Sequence, residues 1–324
     1  MVCIQYTKVN ALREAGPSVN VSRVGRPHER AGTTTFRPNE TKLMATSVTG
    51  DVEFASRFLD VDGIRTHYLE AGEGPTLVLL HGGGAGADAW GNWRGCIPRY
   101  APHFHVVAVD MVGFGKTDKP DPARFGYTQD DRNAHIVGFI EKLAAGAVNL
   151  IGNSMGGATT LGVAMRRPDL VRKMVLMGSA GIAVDNPDPE ARKALAFDFT
   201  RDGMRRLMGA LAGPRYAIDE LLVDYRLALA CEPDARAALL AMRAGKLTYP
   251  EGEVAKVKVP TLVVGGKLDR IAVPARIYRF LELLENSWGF ILPHCGHWVM
   301  MEAPEEFTAI TTAFFRQDAF HVQP

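Results

Sequence analysis

The stretch VNLIGNSMGGATTLGVAM, residues 148–165, decides the fold. A β-rich apolar run, Val148–Ile151, leads through Gly152-Asn153-Ser154-Met155-Gly156 into a helical apolar pattern, Gly156–Met165. A G-x-S-x-G motif between a strand and a helix is the context of a nucleophile elbow, whose sharp turn lifts a serine side chain clear of a parallel sheet. The helix that follows supplies positive potential where an oxyanion would form. We therefore predict that Ser154 is a catalytic nucleophile, and the alternative is a glycine-rich turn with an incidental serine.

Short β-rich runs alternate with helical segments on both sides of this stretch. An Asp-Gly turn, Asp62-Gly63, lies between two further runs and predicts an antiparallel hairpin. Strands that alternate with helices and lack a polar face indicate a parallel sheet buried on both sides. The predicted class is therefore α/β, with a mostly parallel sheet covered by helices on both faces. The other runs are Thr76–Leu80, His105–Val109, Ala147–Ile151, Lys173–Met177, Pro260–Val264 and Trp288–Leu292.

The alternation predicts four segments along the chain. Residues 1–50 are expected to form a poorly ordered extension, because its first 43 residues carry seven basic side chains against three acidic ones and show no apolar periodicity. A transit peptide, or upstream sequence before a start at Met44, are the alternatives for that segment. Residues 51–185 and 251–324 are predicted to form the two parts of the α/β core. Residues 186–250 are helix-rich, and we expect them to form a cap over the carboxyl edge of the sheet, where open α/β folds bind ligands.

Composition excludes several function classes. The 324 residues hold 37 lysines and arginines against 36 acidic residues, a net charge of +1, so there is no global electrostatic case for nucleic acid. Four scattered cysteines argue against a disulfide scaffold or a zinc site. The longest apolar runs are about six residues, far below the ~20 of a membrane span. A cytoplasmic protein is the simplest expectation.

A serine nucleophile needs a base and an orienting carboxylate. Of nine histidines, His297 is the best candidate, because it follows the last predicted strand in a Gly-His pair; His294 is its competitor. Asp269 lies in the short loop after the predicted strand Thr261–Val264. The chain order serine, aspartate, histidine is that of α/β-hydrolases. Asp110 also follows a strand, but it precedes the serine, so we expect it to organise the loop that it begins.

The second donor of an oxyanion hole is expected after an early strand. His81-Gly82-Gly83-Gly84-Ala85-Gly86 follows Thr76–Leu80, and its glycines let backbone N–H groups approach a substrate oxygen. A dinucleotide loop is a weak alternative, because the third glycine is misplaced and no acidic residue ends a strand ~20 residues later. The predicted donors are the N–H groups of Gly83 and Met155.

These motifs together resemble the meta-cleavage product hydrolases, a branch of the α/β-hydrolase fold family that hydrolyses carbon–carbon bonds in ketonic substances. The likeness extends from about Phe58 to Phe315, and its nearest relatives act in aryl-ring degradation of the carbazole and biphenyl type. Its specific marks are HGGGAGADAWGNW at residues 81–93, DMVGFGKTDKPD at 110–121, GNSMGGAT at 152–159 and HCGHW at 294–298. Ala85 departs from the proline of many members.

The resemblance implies a mechanism and further site residues. Ser154, Asp269 and His297 would form the triad, and Asn92, Asn153 and Trp298 would contact substrate. An arginine that grips the carboxylate end of a 2-hydroxy-6-oxohexa-2,4-dienoate falls on Arg226, although a one-residue slip of the cap alignment would place Tyr225 there. No step requires a metal or organic cofactor. A homodimer is expected by the same resemblance.

Two other functions stay open from sequence. A carboxylesterase would use the same triad and would not need Arg226, Asn92 or Asn153. A non-catalytic small-molecule receptor on this fold would keep the pocket without turnover. Neither nucleic acid nor a membrane is an expected partner.

Overall fold

The computed structural model describes residues 54–186, 188–243 and 245–316. The predicted extension, residues 1–50, lies outside these ranges, so its state stays a prediction. No helix in the three ranges is long and apolar enough to cross a membrane.

Eight strands form one sheet in the order β1-β2-β4-β3-β5-β6-β7-β8. Only the pairs β1–β2 and β2–β4 are antiparallel, which confirms the mostly parallel sheet. The predicted hairpin is also confirmed: Val61 pairs with Ile64, and Asp62 and Gly63 between them both have positive φ, as a tight two-residue turn requires. The strands are β1 Ala55–Val61, β2 Ile64–Ala71, β3 Thr76–Leu80, β4 His105–Val109, β5 Val148–Asn153, β6 Val171–Met177, β7 Thr261–Gly266 and β8 Ser287–Leu292.

Helices cover both faces of the sheet. They are α1 Ala89–Trp93, α2 Ile97–Tyr100, α3 Gln129–Leu143, α4 Met155–Arg166, α5 Pro189–Ala194, α6 Arg201–Leu211, α7 Glu220–Cys231, α8 Pro233–Met242, α9 Glu251–Val254, α10 Pro274–Leu283, α11 Val299–Glu302 and α12 Pro304–Arg316. Apolar side chains of α3, α4 and α10 share one buried cluster, and those of α1, α2, α11 and α12 share another. Successive residues of β3, such as Leu79 and Leu80, belong to different clusters, because successive side chains of a strand point to opposite faces of the sheet.

The segment between β6 and β7 is helical, as expected. Helices α5 to α8 all lie within residues 186–250, and the described part of that segment forms no strand beyond an isolated bridge from Thr248 to Gly181. The sequence pattern predicts the first helix there over Pro189–Phe199, but α5 ends at Ala194. Phe199 has a positive φ of 61°, which is not helical, and Thr200 caps the next helix. The domain boundaries themselves stay predictions.

Candidate active site

Ser154 occupies a strained turn between β5 and α4. Its backbone has φ 54° and ψ −115°, an unusual conformation for a residue with a Cβ. The two flanking glycines are required by close approach: a Cβ on Gly152 would overlap the carbonyl oxygen of Gly156, and a Cβ on Gly156 would overlap that of Leu80. The Ser154 N–H donates to the Met177 carbonyl oxygen at 3.1 Å. The chain thus has the geometry of a nucleophile elbow at the predicted serine.

Asp269 and His297, 28 residues apart in the chain, form a buried pair. His297 Nδ1 lies 2.8 Å from Asp269 Oδ2, and both side chains are almost fully buried. The other carboxylate oxygen of Asp269 accepts the N–H groups of Ile271 and Ala272 at 2.7 and 2.8 Å. These bonds hold the carboxylate in place, so that it can orient the imidazole.

Opposing influences act on the Asp269 carboxyl. Burial by itself would raise its pKa, but the charge and hydrogen bond of His297, with the two backbone N–H donors, outweigh burial. The pKa of Asp269 therefore lies below its ordinary value. The carboxylate stays ionised at neutral pH, as an orienting group for the histidine must.

Ser154 and His297 both lie on the wall of one cavity of about 440 Å³, called here the Ser154 cavity. The predicted oxyanion donors Gly83 and Met155 lie on the same wall, so the structure brings them together with the serine and the histidine. Most of the remaining wall is apolar, and part of it comes from the helical segment. Its apolar side chains include Ile182, Leu195, Phe197, Leu207, Leu211, Leu239, Met242, Leu247 and Ile271.

The glycine-rich loop after β3 is held by His81, a role that sequence reasoning missed. The buried imidazole accepts the Met111 N–H at Nε2, 3.0 Å away, and its Nδ1 lies 2.8 Å from the Gly82 carbonyl oxygen. An Nε2 that accepts leaves the proton on Nδ1, which therefore donates to Gly82. Burial lowers the pKa of His81, in keeping with this neutral form. A histidine directly before the glycines was the available signal.

The four predicted substrate-binding residues are all buried, and none of them lies on the wall of the Ser154 cavity. Asn153 donates from Nδ2 to the Met177 carbonyl oxygen at 3.2 Å, and its buried Oδ1 has no hydrogen-bond partner among the described groups. Asn92 lies in α1, also with a buried unpartnered Oδ1, and faces a separate small depression. Trp298, the residue after His297, is also buried. Their contact with substrate stays a prediction.

Arg226 lies inside the protein and not in a surface ion pair, the common environment of an arginine on a helix. Only 1% of the residue is exposed, and Nη2 donates to the Ala85 carbonyl oxygen at 3.0 Å. The guanidinium carbon lies 5.2 Å from the Trp298 ring centroid. Its Nε and Nη1 have no partner in the described structure. Burial lowers its pKa to about 10, so it still carries its charge at neutral pH.

The neighbouring Tyr225 has another task. Its hydroxyl donates to Asp88, which caps α1, and its ring meets Trp90 edge-on with centroids 4.9 Å apart. Arg226, by contrast, places Nη2 next to Gly84 of the cavity wall, where it is bonded to the Ala85 carbonyl oxygen, and its other two guanidinium nitrogens have no described partner. This placement favours Arg226 over Tyr225 for the substrate-gripping role, which is still a prediction.

Asp110 has the loop-organising role expected of it. Its oxygens accept the N–H groups of Ala89 and Lys116 at 2.7 and 2.8 Å, and lie 2.7 Å from His67 Nδ1. Asp88, close to it, was missed as a candidate, although an aspartate before a short helix is a recognisable capping signal.

Sequence reasoning also missed Glu302. It missed three arginines that lie on the cavity wall as well, Arg132, Arg243 and Arg276. Glu302 binds backbone N–H groups on both sides of His297. No local pattern marks these positions. The described residues contain no cluster of three histidine, cysteine or acidic side chains placed to hold a metal ion.

Comparison with known proteins agrees with this geometry. A family model described as alpha/beta hydrolase fold matches residues 75–304. The 2-hydroxy-6-oxo-6-(2'-aminophenyl)hexa-2,4-dienoic acid hydrolase of Metapseudomonas resinovorans is 45% identical over 272 residues, 82% of this chain and 92% of the relative. The 2-hydroxy-6-oxo-2,4-heptadienoate hydrolase of Pseudomonas putida is 31% identical over 80% of this chain and 95% of its own length.

Solved structures show the same relationship. A serine hydrolase involved in carbazole degradation superposes with a TM-score of 0.74 at 45% identity, covering 81% of this chain and 98% of the other. The 2-hydroxy-6-oxo-6-phenylhexa-2,4-dienoate hydrolase of a Rhodococcus strain gives a TM-score of 0.76 at 29% identity, covering 82% and 100%. With its elbow serine and buried histidine–aspartate pair, the chain belongs to the meta-cleavage product hydrolases, serine hydrolases of the α/β-hydrolase fold family.

Proposed function

We propose that this protein hydrolyses the C5–C6 bond of 2-hydroxy-6-oxohexa-2,4-dienoates formed by ring cleavage in aromatic degradation. The products are 2-hydroxypenta-2,4-dienoate and a carboxylic acid. The observation that carries the proposal is the meeting of Ser154, Gly83, Met155 and His297 on one largely apolar cavity, with Asp269 bound behind the histidine. The names of the relatives support this substrate class.

In the proposed reaction the 2-hydroxyl proton is relayed by His297 to C5, which gives the 2,6-diketo form. Ser154 Oγ then adds to the C6 carbonyl while His297 takes the hydroxyl proton. The N–H groups of Gly83 and Met155 stabilise the oxyanion. When the C5–C6 bond breaks, its electron pair passes to C5 and into the conjugated C2 ketone, which gives a dienolate. The proton held by His297 passes to this dienolate, so that the dienol leaves and the histidine is neutral again.

Water activated by His297 then releases the C6 acid from Ser154 as a carboxylic acid. Direct attack by that water on the C6 carbonyl is the alternative route. Rapid quenching and mass spectrometry distinguish the routes, because only serine attack adds the mass of the acyl group to the protein.

Two parallel assays test the function. Loss of the yellow dienoate chromophore is followed with the 6-phenyl substrate beside turnover of p-nitrophenyl esters. We expect dienoate cleavage, and ester turnover without dienoate cleavage would instead identify a carboxylesterase. Ser154→Ala should abolish turnover yet still bind the dienoate, whereas unchanged turnover would show that Ser154 is not the nucleophile. Binding without turnover by the unaltered protein would favour the receptor alternative.

Arg226 is proposed to hold the carboxylate and 2-oxygen of the substrate. A planar guanidinium suits such a bidentate contact, and two of its nitrogens are free of described partners. Arg226→Ala should lower kcat/KM on the 6-phenyl dienoate at least tenfold, about 1.5 kcal/mol. Arg201→Ala, which removes an exposed arginine paired with Asp224, is the control. An unchanged kcat/KM in the Arg226 variant would contradict the assignment.

We also propose a homodimer in the cytoplasm, supported by the family resemblance and the composition. Light scattering coupled to size-exclusion chromatography would give the mass, and a monomer at working concentrations would contradict the first of these proposals.

A further inference from the structure

The charges on the Ser154 cavity all have one sign. Among the described residues of its wall, Arg132, Arg243 and Arg276 are cationic and none is a carboxylate. A mainly apolar wall makes each unpaired charge expensive, because neither water nor a counter-ion surrounds it fully. An anion that enters such a cavity supplies the counter-charge and the hydrogen-bond acceptors that the arginines lack.

Arg132 is the most buried of the three. It belongs to α3, is 0% exposed, and donates to the Tyr127 carbonyl oxygen at 2.6 Å and to Gln129 Oε1 at 3.2 Å. Both of these partners are neutral, and the buried Nε has no described partner. Burial lowers its pKa to about 10, which leaves it charged at neutral pH. Arg132 is therefore a buried cation with no ion-pair partner among the described residues.

Arg276 repeats this pattern from another helix. It lies in the first turn of α10, with Nη1 3.5 Å from the Ser179 carbonyl oxygen and a buried Nε that has no described partner. The acidic group whose charge acts on it is Asp269. That carboxylate is already engaged by His297 and two backbone N–H groups. Arg276 therefore has donors to spare for a ligand.

Arg132 and Arg276 lie on helices that pack on one face of the sheet, and this placement associates them with the C6 end of the substrate. Helices α3 and α10 pack on one face of the sheet, whereas Trp298, against which Arg226 packs, belongs to the apolar cluster of the other face. Ser154 lies at the carboxyl end of β5, a central strand of the sheet. In the proposed reaction the serine attacks C6, so the dienoate extends to one side of it and the C6 substituent to the other. With the dienoate carboxylate at Arg226, the substituent would lie on the side of α3 and α10, the helices that carry Arg132 and Arg276 on the cavity wall.

We infer that Arg132 and Arg276 form a specificity subsite for an acidic C6 substituent, such as a carboxylated aryl group. The inference rests on the proposed function. Guanidinium groups donate and never accept, so the subsite should favour a carboxylate over an amine at the same ring position. Arg243, whose Nη2 already donates to the Phe197 carbonyl oxygen at 2.7 Å, adds to the positive potential of the cavity.

Product binding tests the subsite independently of turnover. Calorimetry would compare benzoate, 2-aminobenzoate and the three benzenedicarboxylates, which are the acids released from phenyl, aminophenyl and carboxyphenyl substrates. At least one dicarboxylate should bind tenfold more tightly than benzoate, and 2-aminobenzoate should not. Arg276→Met should remove that preference. Arg279→Met, three residues further along α10 and paired on the surface with Glu251 and Glu282, is the matched control and should keep it.

Kinetics provide the second arm. In Arg276→Met, the kcat/KM for the matching carboxyphenyl dienoate should fall at least tenfold more than that for the phenyl dienoate. Equal binding of all the acids by the unaltered protein, or an equal loss on both substrates, would overturn the subsite. Cleavage of the phenyl dienoate without any carboxylate preference would leave the proposed function standing and refute this inference alone. Dicarboxylate preference without dienoate cleavage would refute the function and retain the subsite.

Discussion

Asp269 orients the His297 imidazole through a single buried hydrogen bond. Asp269→Asn keeps the shape of the side chain but removes the charge and can present an N–H to the imidazole, which favours the wrong tautomer. We expect kcat on the 6-phenyl dienoate to fall about 10³- to 10⁴-fold with little change in KM. A loss below tenfold would contradict the orienting role. Circular dichroism spectra that match those of the unaltered protein would show that the variant folds.

Asp88 provides a prediction about pH. Burial, and next the charge of Asp110, raise its pKa to about 7 from an ordinary 3.8. Between these values the folded protein retains a proton that the unfolded chain releases, so this group makes stability fall as pH rises from about 4 to 7. Asn at this position caps α1 equally well and does not titrate.

In Asp88→Asn, the decline in the free energy of unfolding between pH 5 and 7 should be smaller by about 2 kcal/mol. Urea titrations at the two pH values measure it. The exposed Asp202→Asn should leave the decline unchanged, and an unaltered slope in the Asp88 variant would contradict the prediction.

At the scale of elements, the elbow depends on how closely β5 and α4 approach β3. A methyl group on Gly156 would overlap the carbonyl oxygens of Leu80 and His81, which are backbone atoms that cannot rotate away. Gly156→Ala should therefore lower the free energy of unfolding by about 3 kcal/mol. Chemical denaturation measures the change.

Gly252→Ala is the control for that measurement. Gly252 is an exposed residue of helix α9, and a Cβ there meets no atom within 4 Å. The variant should gain up to about 1 kcal/mol, because alanine is the better helix former. Equal effects at the two glycines would show that close approach is not what requires Gly156.

Apolar spacing and capping residues predict a helix well where its ends depend only on residues within one turn of each other. The apolar spacing of residues 129–143 predicts a helix, and α3 spans Gln129–Leu143, with Thr128 and Asp131 forming a reciprocal capping box at its start. Helix α5 ends early, since the turn before α6 depends on Asp198 accepting from the Thr200 N–H and hydroxyl. Such a local side-chain bond competes with helix formation and is hidden from a hydrophobic pattern.

In the molecule as a whole, Glu302 connects the helical segment, residues 186–250, to the loop that carries His297. Its carboxylate accepts the N–H of Gly213, just after α6, and those of Gly296 and Trp298. The His297 N–H donates to the Leu211 carbonyl oxygen at 2.8 Å, a second link between the same parts. Burial raises the pKa of Glu302, and the three N–H donors oppose that rise.

Glu302→Ala leaves these buried N–H groups without an acceptor. The free energy of unfolding should fall by about 3 kcal/mol, and kcat should fall about 10- to 100-fold because His297 loses its supports. Glu305→Ala, which removes an exposed partner of Arg99, should change stability by less than about 1 kcal/mol and leave kcat unaltered. Matching losses in the two variants would refute the coupling.

The sequence by itself determined the parallel sheet, the elbow at Ser154 and the choice of Asp269 and His297, because strand and helix periods, glycine turns and chain order are local or ordered properties. Only the tertiary structure decided that Arg226 is buried behind the glycine loop, that Arg132 and Arg276 share a cavity with the serine, and that Glu302 supports the histidine. Burial and contact between residues far apart in the chain depend on how the elements pack, and no short pattern encodes that packing.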